Sequence, residues 1–161
     1  MDENSGRLKH GESQRGKKLN WNKSDRLKVI ILVDVDGTLV SPYRAGKREL
    51  RSSAPKALEL LSSHAPLFLW SIAGVENGLR LLKEFSQLRS LVSGCYGKDE
   101  FPLHLIDNPY CIDDEQVDDV VLQCNHVIVD TFQGGMDSND LLEAAQIVIR
   151  HITDKGLFNN P

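Results

Sequence analysis

The sequence predicts an α/β domain, a three-layer Rossmann-like arrangement with a mostly parallel five-stranded sheet between helices. The length of 161 residues suits one compact domain, and 40% hydrophobic residues are enough for a core. The third observation is the pattern: short apolar runs alternate along the chain with segments whose apolar residues recur at helical spacing. Such alternation is typical of parallel sheets, in which helices connect successive strands.

Five apolar runs are predicted to form the strands. The first, Val29–Val33, is continuously apolar and β-branched, as in a strand that is buried on both faces. The others lie at residues 67–70, 91–96, 110–112 and 127–129.

Four helices are predicted from capping residues and from apolar spacing. Ser53 is the expected N-cap of the first helix, Pro55 lies in its first turn, and Ala57, Leu58 and Leu61 form its buried face. The other helices are expected over residues 75–85, 117–124 and 141–152.

The first 26 residues differ from the rest in composition and charge. Residues 1–28 hold eight Lys and Arg against four acids, whereas the chain as a whole has a net charge of −4. Because this stretch lacks apolar periodicity, residues 1–26 are predicted to be a flexible basic arm and residues 27–161 the α/β domain. The arm is either a solvated tail or a contact for a nucleic acid or another polyanion.

The sequence is not typical of membrane or disulfide-rich proteins. The apolar run near the N-terminus is far too short to span a membrane, and no signal peptide is expected. The three cysteines, Cys95, Cys111 and Cys124, include no closely spaced pair. We therefore expect buried thiols, no structural zinc and a cytoplasmic location.

Polar residues follow four of the predicted strands, where parallel sheets gather their functional groups. In chain order they are Asp34, Asp36 and Thr38, then Ser71, then Lys98, then Asp113 and Asp114, and the apolar Ile72 after Ser71 is a further candidate for substrate binding. Four carboxylates at one edge repel one another unless a cation neutralises them. Hard oxygen ligands from two strands favour Mg²⁺.

The spacing of Asp34 and Asp36 suggests phosphoryl transfer. Residues i and i+2 of an extended strand project to the same side, so both carboxylates can face one substrate. One aspartate can attack phosphorus while the other protonates the leaving oxygen and then activates water. Lys98, the Ser71 hydroxyl and backbone N–H groups after Ser71 would hold the phosphoryl oxygens.

The segment Asp34-Val35-Asp36-Gly37-Thr38-Leu39-Val40 resembles the first signature of the haloacid dehalogenase superfamily. Ser71, Lys98 and Asp113-Asp114 resemble its second, third and fourth motifs, over roughly residues 28–150. The resemblance implies a phosphatase with Asp34 as nucleophile and Asp36 as general acid/base. It also implies Mg²⁺ bound by Asp34, the backbone carbonyl of Asp36, and Asp113 or Asp114.

Three positions leave alternatives open. Asp99, which follows Lys98 where the family often has proline, could pair with that lysine. Asp130, after the fifth strand, competes with Asp113-Asp114 for the fourth motif. Asp118 is a candidate for a supporting role near the metal.

The intervals between motifs leave no room for an inserted cap domain, so the site is expected to be open. An open site needs a macromolecular substrate or a neighbouring subunit to cover it. Either a nucleic acid end, a phosphoprotein or a homo-oligomer would meet that need. Four cations after the first motif, with Tyr43 beside them, could steer a polyanion: Arg44, Lys47, Arg48 and Arg51. Alternatively, they form a solvated loop, but Arg44 is a candidate substrate contact.

Two other functions compete with a phosphatase. A signalling receiver domain also combines acidic residues, a hydroxyl and a lysine, but it carries its paired acids after the first strand and its phosphorylated aspartate after the third. Here the adjacent pair, Asp113-Asp114, comes late, and the first strand is followed by Asp34-Val35-Asp36 instead. This order of the motifs favours the enzyme. A catalytically idle binding protein on the same scaffold is the other alternative.

Overall fold

The computed structural model describes residues 28–116 and 124–157. Its strands and α-helices, in chain order, are β1 Val29–Asp34, α1 Ala54–Ser62, β2 Leu67–Ser71, α2 Val75–Glu84, β3 Gly94–Gly97, β4 Asn108–Asp113, β5 Asn125–Ile128 and α3 Asp140–Asp154. Short 3₁₀ helices cover Ser86–Leu91 and Leu103–Leu105. The predicted arm, residues 1–26, and residues 117–123 of a predicted helix lie outside the described residues. None of the described helices has the length and apolar character of a membrane span.

The five strands form one parallel sheet in the order β3-β2-β1-β4-β5. This confirms the predicted α/β, Rossmann-like fold class. The chain leaves the central strand β1 toward β2 and β3, and then returns to the other side of β1 with β4. The direction of winding therefore reverses between β1 and β4, the point at which such sheets form ligand crevices.

Strand β1 is buried on both faces, as its unbroken apolar run predicts. Val29, Ile31 and Val33 belong to the larger core, which α1, α2 and α3 cover. Ile30 and Leu32 face a second cluster, which the segment 101–106 closes with Phe101, Leu103 and Ile106. Because both faces are filled, the end of β1 is held rigidly.

The connection from β1 to β2 contains a small hairpin loop, residues 40–50, followed by α1. Val40 and Leu50 form an antiparallel bridge, and Arg44 and Lys47 pair at its tip. Residues 35–97 are all described, and they contain no inserted domain. Residues 35–97, which connect the first three motifs, therefore agree with the expectation that no cap is inserted between them.

The third strand differs from the prediction. It covers Gly94–Gly97 rather than residues 91–96, because Ser86–Leu91 continue from α2 as a 3₁₀ helix. Leu88 is fully buried in that helix, so an apolar position in this region serves helical packing. Helical and strand spacings cannot be separated in so short an apolar segment.

The expectation of unpaired buried thiols is wrong for two cysteines. Cys111 and Cys124 form a disulfide, with Cα atoms 6.2 Å apart. Cys111 lies in β4 opposite His126 of β5, and Cys124 comes just before that strand. Their separation of 13 residues gives no local signal, because only the pairing of β4 with β5 brings them together. Cys95 is free, and burial raises the pKa of its thiol to about 11.

Helix α1 begins where the sequence predicts, but its cap differs. Ser53 is the N-cap, yet its side chain makes no capping hydrogen bond to the first turn of the helix. Asp137 instead accepts hydrogen bonds from the Ser53 N–H at 2.8 Å and the Ser52 hydroxyl at 3.2 Å. Asp137 also lies 3.8 Å from the buried Arg51 guanidinium.

This arrangement predicts that a distant carboxylate matters more to α1 than its own N-cap residue. We expect Asp137→Ala to lower the free energy of unfolding by about 1–3 kcal/mol, because it leaves Arg51 and the Ser53 N–H without that partner. Ser53→Ala should change it by less than about 0.5 kcal/mol, unlike an ordinary N-cap substitution. Urea unfolding of both variants tests this, and a larger loss for Ser53→Ala would contradict it.

Candidate active site

Three carboxylates meet at the carboxyl edge of the sheet. Asp34 ends β1, Asp113 ends β4, and Asp114 follows it. One oxygen from each lies within 4.8 Å of the others. Asp34 and Asp113 are almost fully buried. The topology explains the meeting, because β1 and β4 are neighbours at the point where the winding reverses.

Lys98 lies between two of these carboxylates. Its Nζ is 2.9 Å from Asp34 Oδ1 and also donates to Asp113 Oδ2. Burial acts to lower the pKa of Lys98, but the two carboxylates raise it above its ordinary value. The lysine is therefore charged, and its ammonium pairs with Asp34 and Asp113 instead of Asp99.

One ammonium does not balance three carboxylates. Burial and the neighbouring Asp113 raise the pKa of Asp34 from 3.8 to about 7, although Lys98 opposes the shift. The folded chain without a metal therefore disfavours the charged form of Asp34. A bound cation would favour the charged form of Asp34 and so lower its pKa.

Thr38 and Gly37 fix the cluster from the side of the first motif. The buried Thr38 hydroxyl is 3.1 Å from Asp34 Oδ2 and 3.4 Å from Asp114 Oδ1, so it can donate to either. Gly37 has a φ of +80°, and a Cβ there would overlap the Asp114 carboxylate. Glycine is thus needed here for its backbone angle and for the close approach of Asp114.

Ser71 lies at the end of β2 and is 2% exposed. Its Oγ accepts hydrogen bonds from the Ala73 N–H at 3.1 Å and from Asn77 Nδ2 at 3.0 Å. With both acceptor positions used, the hydroxyl proton is what Ser71 can offer to an anionic ligand. Ile72 follows with a 70% exposed side chain.

Asp36 does not join the acid cluster through its side chain. Its Oδ2 accepts a hydrogen bond from Asn77 Nδ2, and its Oδ1 is 3.4 Å from Arg48 Nη1. The Asp36 side chain is 51% exposed, in contrast to Asp34. The two aspartates of the motif therefore have different environments, one buried beside Lys98 and one at the open surface.

The expectation that four cations near the first motif steer a polyanion is wrong for two of them. Arg48 is buried and pairs with Glu84, and Arg51 is buried and donates to the Asp130 carbonyl. Buried, paired guanidiniums cannot attract a distant ligand. Arg44 and Lys47 are exposed at the tip of the hairpin loop.

Asp113-Asp114 and Asp130, the two candidates for the fourth motif, lie in different places. Asp130 is exposed and lies outside the cluster formed by Asp34, Asp113 and Asp114. Asp118, the candidate supporting group, lies outside the described residues.

The sequence did not predict the roles of Asn77 and Arg48, which contact the second aspartate, or of Glu84, which pairs with Arg48. Asn77 is on the first turn of α2, six residues after Ser71, and Glu84 ends the same helix. No local signal marks Asn77, because its role depends on how α2 packs against the end of β1. Arg48 was assigned to the steering cations, because a sequence does not show that an arginine is buried.

The residues present fit a divalent metal. Three carboxylate oxygens from Asp34, Asp113 and Asp114 are close enough to share one ion. Burial and the carboxylates of Asp113 and Asp114 raise the pKa of Asp34, and Lys98 offsets this shift only in part. All of these donors are hard oxygens, which suit Mg²⁺.

The raised pKa predicts how the metal-free protein responds to pH. The folded chain binds the Asp34 proton more tightly than the unfolded chain, so this group destabilises the fold as pH rises from 3.8 to about 7. We therefore expect Asp34→Asn to gain stability relative to the wild type across this range, on the order of 4 kcal/mol above pH 7. Thermal unfolding in EDTA measures the difference, with the exposed Asp130→Asn as control. A difference that does not change with pH would contradict the assignment.

The close approach at Gly37 predicts a specific loss of metal binding. Gly37→Ala should abolish any rise in melting temperature caused by Mg²⁺, because the new methyl group displaces the Asp114 carboxylate. Gly46→Ala is the matched control: its φ is +74°, but no atom lies within 4 Å of the added Cβ. Gly46→Ala should pay the same backbone strain, about 1 kcal/mol, and keep the Mg²⁺ response. Equal responses in the two variants would contradict the role of Gly37.

Comparisons with known proteins give a structural likeness only. A variant of the RNA polymerase II CTD phosphatase Fcp1 from fission yeast, bound to beryllium fluoride, matches with a TM-score of 0.44 and 12% identity. The match covers 81% of this chain and 51% of that one, so the chain spans about half the length of the solved protein. No family model and no curated protein matches the sequence.

Proposed function

We propose that this protein is a Mg²⁺-dependent phosphoric monoester hydrolase of the haloacid dehalogenase type, acting through an aspartyl-phosphate. The meeting of Asp34, Asp113 and Asp114 within 4.8 Å carries the proposal. Asp36, two residues beyond Asp34, supplies a second carboxyl group with separate hydrogen-bond partners.

In the first step, an Asp34 carboxylate oxygen attacks phosphorus. The bond from phosphorus to the leaving oxygen breaks, and the Asp36 carboxyl group gives its proton to that oxygen. Lys98 and the Ser71 hydroxyl donate to the phosphoryl oxygens as their charge redistributes. The Ile72 N–H adds a further donor at the end of β2, and Thr38 keeps Asp34 oriented.

In the second step, Asp36 takes a proton from water. The resulting hydroxide attacks the phosphorus of the aspartyl-phosphate, which releases inorganic phosphate and the Asp34 carboxylate. Mg²⁺ would be held by Asp34, Asp113, Asp114 and the Asp36 carbonyl, and when bound it would neutralise charge on the phosphoryl oxygens. The different environments of Asp34 and Asp36 support this division of roles.

The substrate class follows from the openness of the site. No cap covers the edge of the sheet within residues 35–97, and the Asp36 side chain is half exposed. A phosphate at the end of a large molecule can enter such a site, and the large molecule or a second subunit would exclude water. Because Arg48 and Arg51 are buried, only Arg44 and Lys47 of the predicted cations support a nucleic acid. The cytoplasmic location expected from the sequence rested on unpaired thiols and loses that support, because Cys111 and Cys124 form a disulfide.

The direct test is hydrolysis of 4-nitrophenyl phosphate with and without Mg²⁺. We expect Mg²⁺-dependent turnover by the wild type and a loss of at least about 10³-fold in kcat for Asp34→Asn, because the nucleophile is removed. Asp130→Asn is the matched control, since it makes the same change at an exposed aspartate outside the cluster, and it should keep its activity.

A retained rate in Asp34→Asn would remove Asp34 as the nucleophile. No turnover by the wild type on any phosphomonoester would instead favour the alternative of an idle binding protein on the same scaffold.

A further inference from the structure

A network of polar side chains lies beside the acid cluster and has no part in the two steps above. Asn77 and Glu84 are seven residues apart on α2, which places them two turns apart on one face of the helix. Arg48 of the hairpin loop bridges them: its Nε is 2.8 Å from Glu84 Oε2 and its Nη1 is 3.1 Å from Asn77 Oδ1. We call these three residues the Arg48 network.

Arg48 is held on several sides. Its side chain has no exposed surface, and its guanidinium lies 5.1 Å from the centre of the Tyr43 ring. Burial acts to raise the pKa of Glu84, but hydrogen bonds from Arg48 and Tyr43 lower it below its ordinary value. Glu84 is therefore a charged anchor that fixes one edge of the guanidinium.

The fixed arginine determines the orientation of Asn77. Arginine has only donors, so the Asn77 group that faces it must be the carbonyl oxygen. The Asn77 NH₂ group then faces the other way, and its two hydrogens serve Asp36 Oδ2 and Ser71 Oγ. One amide thus links the proposed proton donor to the serine that holds the phosphoryl group.

The network contacts both oxygens of Asp36. Asn77 donates to Oδ2, and Arg48 Nη1 lies 3.4 Å from Oδ1. A carboxyl group that is 51% exposed would otherwise sample several rotamers in water. Within residues 28–116 and 124–157, Arg48 Nη2 is also buried without a hydrogen-bond partner, a cost that folding stability alone does not favour.

We propose that Arg48 and Asn77 are positioning residues, which hold the Asp36 carboxyl group at the angle needed to protonate the leaving oxygen. This inference rests on the proposed function, because it assigns a role in the first step of that reaction. Asn77 acts directly on Asp36, whereas Arg48 acts mainly by orienting Asn77. A purely structural tie between the hairpin loop and α2 is the alternative.

The two roles differ in how activity depends on the leaving group. 2,4-Dinitrophenyl phosphate has a strongly acidic phenol, which leaves as the phenolate without protonation. The phenol of phenyl phosphate is a weak acid, so its oxygen needs a proton from a general acid as it leaves. A misplaced Asp36 carboxyl group therefore slows the hydrolysis of phenyl phosphate alone, whereas a loosened fold slows the hydrolysis of both esters. The parameter to compare is kcat/KM, because it includes phosphoryl transfer to Asp34 and excludes the later hydrolysis.

The experiment measures kcat/KM for both esters with saturating Mg²⁺. We expect Asn77→Ala to lower the value for phenyl phosphate by about 10-fold or more, and that for 2,4-dinitrophenyl phosphate by less than about 3-fold. Arg48→Lys should show the same selectivity, because a lysine keeps the charge beside Glu84 but lacks the planar fork. The double variant Asp36→Asn/Asn77→Ala should be no slower than Asp36→Asn alone.

Arg89→Ala is the control, because it removes an exposed arginine whose Nε donates to the Leu82 carbonyl near the end of α2, away from Asp36. It should leave both esters unaffected. Equal losses on the two esters in Asn77→Ala and Arg48→Lys, with lower melting temperatures, would overturn the positioning role.

The failure of the proposed function is distinguishable from this result. It would appear as no wild-type turnover, or as turnover by Asp34→Asn. Wild-type turnover that Asp34→Asn abolishes, together with equal losses on both esters in Asn77→Ala, would overturn only the inference.

Discussion

The contact on which the site depends is the buried ammonium of Lys98 between Asp34 and Asp113. It joins the ends of β1 and β4 through the loop that follows β3, so three strands meet at one charge. A buried lysine is costly to desolvate, and a buried carboxylate is also costly, but each lowers the cost of the other. The balance is incomplete, because Asp114 adds a third carboxylate. That surplus of negative charge is compatible with a bound cation at this edge of the sheet.

The sheet turns this local balance into a rigid site. Residues of β1 fill the cores on both faces, so Asp34 has little freedom to move away from its neighbours. Gly37 then lets the chain turn sharply while Asp114 approaches its backbone. Asp36 is left at the open surface, where α2 and the hairpin loop hold it. The fold thus buries the Asp34 carboxyl group and leaves that of Asp36 exposed to solvent. The first environment suits a nucleophile and the second suits a group that exchanges protons with water.

Much of this could be predicted from the sequence, because the signals are local. The apolar run before Asp34 indicates a buried strand, and the spacing of Asp34 and Asp36 indicates two carboxylates at its end. The rest depends on contacts between distant segments. Neither the disulfide between Cys111 and Cys124 nor the replacement of the Ser53 cap by Asp137 has a local pattern. Arg48 and Arg51 resemble a solvated basic loop in the sequence, yet both are buried, because acids and carbonyls that pair with them come from elsewhere in the chain.

The central claim is that Asp34, Asp113 and Asp114 hold one Mg²⁺ while Asp34 accepts phosphorus. The most direct measurement is thermal unfolding with Mg²⁺ and beryllium fluoride, which together imitate a phosphorylated aspartate. A working site predicts that the two ligands together raise the melting temperature far more than the sum of their separate effects, because each completes the site of the other. The account also predicts that Asp34→Asn loses this joint effect. A wild type without the joint effect, or an Asp34→Asn variant that retains it, would contradict the account.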